Sequence, residues 1–497
     1  MQHRAVPLSH IHAFGYTERM DMCVQKAKLN GTIPLPGSKS HTIRAVILAA
    51  IAEGISEIVN PLEGEDAHSV LKTVELIGAQ TERLNGRWKI RGTGGAFFLP
   101  VQAIHVGNSG SLLYFLSPIL ATRAGRSVFT GDESILRRPV HHLADALLQA
   151  GARVFTENPG NDVPPLYIEG PIKASHIYTD GRLSQYISGF MMAAPLLDGT
   201  TEITLSDPKE TPYVTMTKQW LEKLGVRVRI SCDFKHISIT GKKELHGFKA
   251  VIPSDWEAAA FPLITALTGG GTVHMENIDL SGSQCDGIIV PILKSLGADI
   301  RLEKTNGTLS VRGGSRLAVG SGFARTADFS LFAGDKRAAA FVRRESADTL
   351  CINCSAFPDA VCALAVIACF TEGTVILDDI GVCRSKETDR IELMRSVLAA
   401  QGADIQAGDT FLKIRGRSPL KKDGSINPDF KLHGGTIDSL GDHRAAMSFA
   451  CLGLGLPAGE RLTVKNAECC AVSFPGFIQA MNGAGAGFEV SGASMPV

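Results

Sequence analysis

Surplus charge is what this chain most plainly lacks. Lys plus Arg and Asp plus Glu each total 50, so nothing in the overall balance favours a nucleic-acid or anionic-membrane partner, and any positive site must be local. No run approaches the roughly 20 apolar residues that span a bilayer. The most apolar stretch, Ala360–Phe370, reads as a buried helix. The amino terminus, Met1–Val24, has no apolar core of signal-peptide type and carries Glu18 and Asp21. The expectation is therefore a cytoplasmic protein with an extension, residues 1–25, ahead of its fold. Of eleven cysteines, Cys351 and Cys354 form one CxxC and Cys469–Cys470 are adjacent. No second ligand pair follows at the spacing zinc requires, so reduced thiols and no metal are expected. Nor does a G-x-G-x-x-G or Walker sequence open a helix, which argues against an open doubly wound sheet binding phosphate at one turn.

What is present is a repeat. At 497 residues the chain is too long for one compact core and should form two large domains. An amphipathic helix, then Gly-Ala or a near variant, then a short strand occurs as VLKTVELIGAQ, LADALLQAGARV, TKQWLEKLGVRVRI, IVPILKSLGADI and LMRSVLAAQGADI, with a degraded sixth copy, FIQAMNGAGAGFEV. Leucines at helical spacing cover a core, Gly supplies a left-handed cap, and the chain turns at once into a strand. The first four glycines, at 78, 151, 225 and 297, give a period of about 70 residues, longer than that of solenoid repeats. Gly320–Asn353 and Arg417–Leu432 read as insertions that lengthen the later gaps. Six α/β units divide into three plus three, predicting two similar domains across a cleft, the usual place for a polar ligand.

Six segments carry candidate chemistry. In PLPGSKSHTIRA, Pro-Gly ends a strand and Ser38, Lys39 and Ser40 open an apolar helix, a ready anion site, with Arg44 one turn on from Ser40. A plain Ser cap with solvated cations would explain it equally. GNSGSLLYFL puts small residues, Gly110 among them, before a helix, where backbone amides can approach a ligand. GDESILRRPVHHL holds Arg138 at the mouth of a helix expected to begin at Pro139. CRSKETDRIELM packs Lys386, Glu387, Asp389 and Arg390 more densely than an amphipathic face needs; if helical, Lys386 and Arg390 could meet one anion. GDHRAAM places Arg444 near the start of an apolar helix, with His443 as readily structural as catalytic. FPDAVCALAV places Asp359 at a helix start, as a cap or a proton acceptor.

PGSKSHTIRA, GNSGS, RRP, LSQY, FPDA, KETDR and GDHRAAM stand in this order from about Lys26 to the carboxyl end, and in that order the chain resembles the EPSP synthase (3-phosphoshikimate 1-carboxyvinyltransferase) family. The sister family, UDP-N-acetylglucosamine enolpyruvyl transferase, does not characteristically carry PGSKS, KETDR and GDHR together. The resemblance implies an α/β, two-domain inside-out α/β barrel, the enolpyruvyl transferase fold, each domain a threefold repeat of α/β units. Residues 26–36 plus 255–497 would form one domain, combining both chain ends, and 37–254 the other. It implies a monomer that needs no cofactor and joins phosphoenolpyruvate to the 5-hydroxyl of shikimate 3-phosphate, releasing phosphate. Lys39, Gly110, Arg138, Gln185, Arg390 and Arg444 would bind phosphoenolpyruvate. Ser40, Arg44, Ser184, Gln185, Asp359 and Lys386 would bind shikimate 3-phosphate. Asp359 would be the base on the acceptor hydroxyl, Glu387 the proton donor to carbon, and Lys39 a further catalytic cation. The chain departs from the family pattern at Leu183, where a phosphate-binding hydroxyl is common, and at Glu210, in place of a Ser before Lys or Arg. It departs again at Tyr114 and Val472, each in place of a cation.

Overall fold

In a computed structural model, which describes residues 19–157, 160, 162–321 and 341–492, all six repeats are present. Helix Glu65–Leu76 ends at Gly78, φ 105°, and strand Gln80–Leu84 follows. Helix Arg390–Ala400, Gly402 at φ 92° and strand Asp404–Ala407 repeat the unit. The degraded copy does the same with helix Phe477–Gly483, Gly485 at φ 101° and strand Glu489–Ser491. A side chain at these glycines would force an L-residue into the left-handed region where the helix must stop.

Among the described residues the strands form six sheets that share one plan, a parallel pair extended by two antiparallel pairs, with two further short strands added to one of them. In one, Ile104–His105 lies parallel to Gly125–Thr130, which runs antiparallel to Leu166–Gly170, itself antiparallel to Arg153–Thr156. In another, Gly435–Asp438 lies parallel to Arg461–Lys465, which runs antiparallel to Asp21–Gln25, itself antiparallel to Glu489–Ser491. This corrects the expected extension. Asp21–Gln25 is a strand of the fold, held between two strands from the carboxyl end, and its alternating Met22 and Val24 are fully buried. Residues 1–18 lie outside those described.

Buried apolar residues separate into two cores. One draws on Met22–Ile33 and Trp256–Phe488, the other on Ile43–Ile252, and Val382 packs against both. The chain crosses between them twice, side by side: Gly37 bridges Ser254, Ser38 N–H donates to Pro253 O at 2.8 Å, and Asp255 N–H donates to Pro36 O at 2.9 Å. Each core is centred on apolar helices rather than sheets. Val361–Cys369, expected as a buried helix, is buried along its whole length, as are Trp256–Gly269 and His443–Gly455. Of the two expected insertions, Gly320–Asn353 includes a hairpin pairing Val342–Arg344 with Thr349–Asn353, with 322–340 outside the described residues. Arg417–Leu432 contains a turn closed by a Leu420–Ile426 bridge. Among the described residues no helix is long and apolar enough to cross a membrane.

At the crossing a Cβ on Gly37 would stand 2.2 Å from Asn60 O, a backbone atom that cannot swing aside. Gly37→Ala is expected to destabilise the fold by about 1–3 kcal/mol through overpacking, read as a lowered thermal midpoint. An unchanged melt would show that the crossing strands can shift.

Candidate active site

Helix starts supply the site. From the half built on the Ile43–Ile252 core come Lys39–Ile51, Gly110–Leu120 and Ser184–Ala193. From the other half come Trp256–Gly269, capped by Asp255, Val361–Cys369, led in by the turn Pro358–Ala360, and His443–Gly455, capped by Asp442. The two sets meet across a cleft. Lys39 N–H donates to Asp255 Oδ2 at 3.1 Å, Ser134 Oγ donates to Glu387 O at 3.2 Å, and Lys209 Nζ donates to Asp379 Oδ2 at 2.7 Å. Unsatisfied N–H groups and the helix dipole make such ends suited to anions.

Arg390, 1% exposed, lies at the centre. Its Nη1 donates to Asp359 Oδ1 at 2.5 Å, its Nη2 to Glu387 Oε2 at 2.6 Å and its Nε to Asp442 Oδ2 at 2.8 Å. Arg138 Nη2 approaches Glu387 Oε1 at 3.4 Å and donates to Asn108 Oδ1 at 3.1 Å. Gly110 makes room for it, since a Cβ there would sit 2.2 Å from Arg138 Nη1. Lys39 Nζ lies 3.7 Å from Asp66 Oδ2. Burial pushes the Asp359 carboxyl up, but Lys386, Arg390 and Lys39 outweigh it and hold it at about 2. Burial acts likewise on Glu387, and Arg390, Arg138, His443 and Lys39 draw it well below the usual carboxylate range. Both acids are thus ionised at neutral pH because cations surround them. An anionic ligand that took up those cations would release the carboxylates toward ordinary pKa values, where each can exchange a proton.

The remaining expected residues take varied places. Gln185 Nε2 donates to Ser111 Oγ at 3.0 Å, tying two helix starts together. Ser184 gives both its N–H and hydroxyl to Glu210 Oε2, at 2.9 and 2.8 Å, and Lys386 Nζ donates to Glu210 Oε1 at 2.6 Å. Ser40 O accepts from Arg44 Nη1 at 2.9 Å. Arg44 turns inward: it also donates to Thr217 Oγ1, Ser188 Oγ and Tyr213 O and stacks on Phe115. Burial lowers its guanidinium to about 9. Arg444 pairs with Glu257, and its Nε and Nη1 have no partner among the described residues. Two local expectations are corrected. Lys386 and Arg390 do not share a helix, because the helix begins at Arg390 and Asp389 caps it; Lys386 is extended, donates to Glu210 and lends its charge to Asp359, the carboxylate that Arg390 also holds. The helix expected from Pro139 begins at His141, and Arg138 ends the short turn Ile135–Arg137.

Sequence reasoning passed over Asp442, Asp255, Asn108 and Tyr213. The first two were detectable: Asp255, Asp359 and Asp442 each stand just before a strongly apolar helix. Tyr213 had no such signal. Its hydroxyl lies 2.9 Å from Glu257 Oε1 and 3.0 Å from Asp286 Oδ2, both in the other half, with one proton to share between them.

Two facing α/β halves with cations and carboxylates clustered at opposed helix starts define a fold and site of the enolpyruvyl transferase class. The EPSP synthase (3-phosphoshikimate 1-carboxyvinyltransferase) family model matches residues 24–481, and the chain belongs to that family. A 3-phosphoshikimate 1-carboxyvinyltransferase of Acetivibrio thermocellus is 33% identical over 463 residues, 93% of this chain and 98% of the relative. One from Methanothermobacter thermautotrophicus is 30% identical, covering 93% and 98%. The EPSP synthase structure from Acinetobacter baumannii superposes with a TM-score of 0.72 at 28% identity, covering 96% of this chain and all of that one. The enolpyruvyl transferase NikO from Streptomyces tendae, 15% identical with a TM-score of 0.71 over 96% of this chain and all of that one, shares the fold.

Because its folded-state pKa lies below the unfolded value, Asp359 adds stability that is fully present above the unfolded pKa. That stability is lost as pH falls from about 4 through about 2. By linkage it amounts to roughly 2 kcal/mol. Asp359→Asn should flatten the acid limb of stability between these values; an unchanged acid-unfolding curve would show that the cations do not hold the carboxylate down.

Proposed function

We propose that the chain transfers the enolpyruvyl group of phosphoenolpyruvate to the 5-hydroxyl of shikimate 3-phosphate and releases phosphate, acting as a cytoplasmic monomer. The observation that carries this reading is one guanidinium, Arg390, flanked by two carboxylates, Asp359 on Nη1 and Glu387 on Nη2. Addition–elimination needs that pair. Asp359 accepts the acceptor's hydroxyl proton as its oxygen bonds to C2 of phosphoenolpyruvate, and Glu387, once protonated, delivers a proton to the CH₂ carbon to make a methyl group. In the second step Glu387 takes a proton back from that methyl as the C–O bond to phosphate breaks and the enol double bond returns, and the departing phosphate carries off the hydroxyl proton that Asp359 had accepted. Arg390 and Arg444 bind the carboxylate of phosphoenolpyruvate, for which forked guanidinium geometry suits them. Lys39, Arg138 and Gln185 hold its phosphate, beside the open backbone of Gly110. Binding these anions draws Arg390 and Arg138 away from Glu387, which raises its pKa into the range of a proton donor. Ser40, Ser184 and Lys386 receive the acceptor, and Arg44, expected beside them, braces Ser40 from behind through its carbonyl.

Glu210 favours a second reading, an acceptor without phosphate, because it already engages Ser184 and Lys386. Phosphate release measured with shikimate 3-phosphate and with shikimate separates the two. Equal or better turnover of shikimate would replace the first reading by the second.

Asp359→Ala is expected to lower phosphate release by about 10²–10⁴-fold, the contribution of a positioned base. Phosphoenolpyruvate-site ligands should still bind by calorimetry. Near wild-type turnover in that variant would remove Asp359 as the base.

A further inference from the structure

Among the departures from the family pattern, only Glu210 adds a charge. It stands at φ 48°, ψ 31° directly before helix Thr211–Lys223, is 2% exposed, and donates its own N–H across the cleft to Ser355 O at 3.0 Å. That backbone anchor aims the side chain at the start of helix Ser184–Ala193, which has no side-chain cap from Leu183. Glu210 therefore receives what that helix start offers, an amide and a hydroxyl, and adds the Lys386 ammonium. An amide, a hydroxyl and an ammonium converging on two oxygens form the donor set that a phosphate group takes. Neighbouring cations do not relieve the competition. Lys209 is held by Asp379 and Asp207, and Arg182 by Asp180 and Asp207. A phosphate dianion brought to Ser184 and Lys386 with Glu210 in place would meet a buried carboxylate of its own sign, with its donors already taken.

We propose that Glu210 is a built-in competitor for the acceptor's phosphate. It occupies the donors of that subsite, closes the cleft through Lys386 when the acceptor is away, and must leave both partners before a phosphorylated acceptor can be seated. It is thus a specificity-determining residue that weakens phosphorylated acceptors relative to unphosphorylated ones. The choice of acceptor rests on the enolpyruvyl-transfer reading above.

Calorimetric titration of the wild type, Glu210→Gln and Glu210→Ser with shikimate 3-phosphate and with shikimate tests it, with phosphate release measured on the same proteins. Both variants are expected to bind shikimate 3-phosphate about tenfold or more tighter than the wild type, while shikimate affinity changes by less than about threefold. No gain for shikimate 3-phosphate in either variant, or an equal gain for both ligands, overturns the proposal. Turnover of shikimate 3-phosphate by the wild type without tightening in the variants removes the role of Glu210 and leaves the reaction standing. Tightening without turnover in any of the three proteins does the reverse. Shikimate 3-phosphate bound by none of them overturns both.

Discussion

The site depends on a single buried cation. Arg390 carries one positive charge and holds Asp359, Glu387 and Asp442 within 2.5–2.8 Å. Three carboxylates taken out of water around one guanidinium would be strongly destabilising by themselves, since the loss of hydration exceeds what one partner returns. Part of the balance comes from Lys386 in the same half, and part from the other half of the molecule. Lys39 and Arg138 bring positive charge toward Glu387 and Asp359 across the cleft. Closure of the halves and ionisation of Asp359 and Glu387 are therefore one electrostatic arrangement.

Rigid placement follows from the repeat. Each half gathers apolar helices at its centre, and the site residues stand at their first turns, where the backbone has unsatisfied donors and the helix dipole favours anions. Asp255 and Asp442 use their side chains to cap those turns, accepting from Glu257 and Ala258 N–H and from Arg444 and Ala445 N–H. The helices behind them are packed on every side, so the side chains at their mouths inherit well-defined positions. The glycines act in the same service: Gly110 lets Arg138 lie against backbone, and Gly37 lets the crossing strand pass Asn60.

The fold was largely legible in the sequence. Apolar residues at helical spacing followed by a glycine predicted all six helix-to-strand turns, and the apolar run at 360–370 predicted a buried helix. Both are properties of short segments. Errors arose where a boundary depended on a distant partner. Asp21–Gln25 is too short to declare itself, and it is a strand because Arg461–Lys465 and Glu489–Ser491 flank it. The dense charges of Lys386–Arg390 suggested one helical face, yet Asp389 caps the helix and leaves Lys386 outside it.

By itself the sequence determined the number of α/β units, the helices that are buried, and the short segments rich in anion-binding residues, because periodicity, capping and left-handed glycines act within a dozen residues. Only the tertiary structure decided which charges share a partner. Lys386 meets Glu210 from 176 positions away, and Arg44 spends its donors on Thr217 and Ser188, 173 and 144 positions distant. Those pairings follow from how helix starts of two halves are brought face to face, and no local pattern encodes the partner of a buried charge.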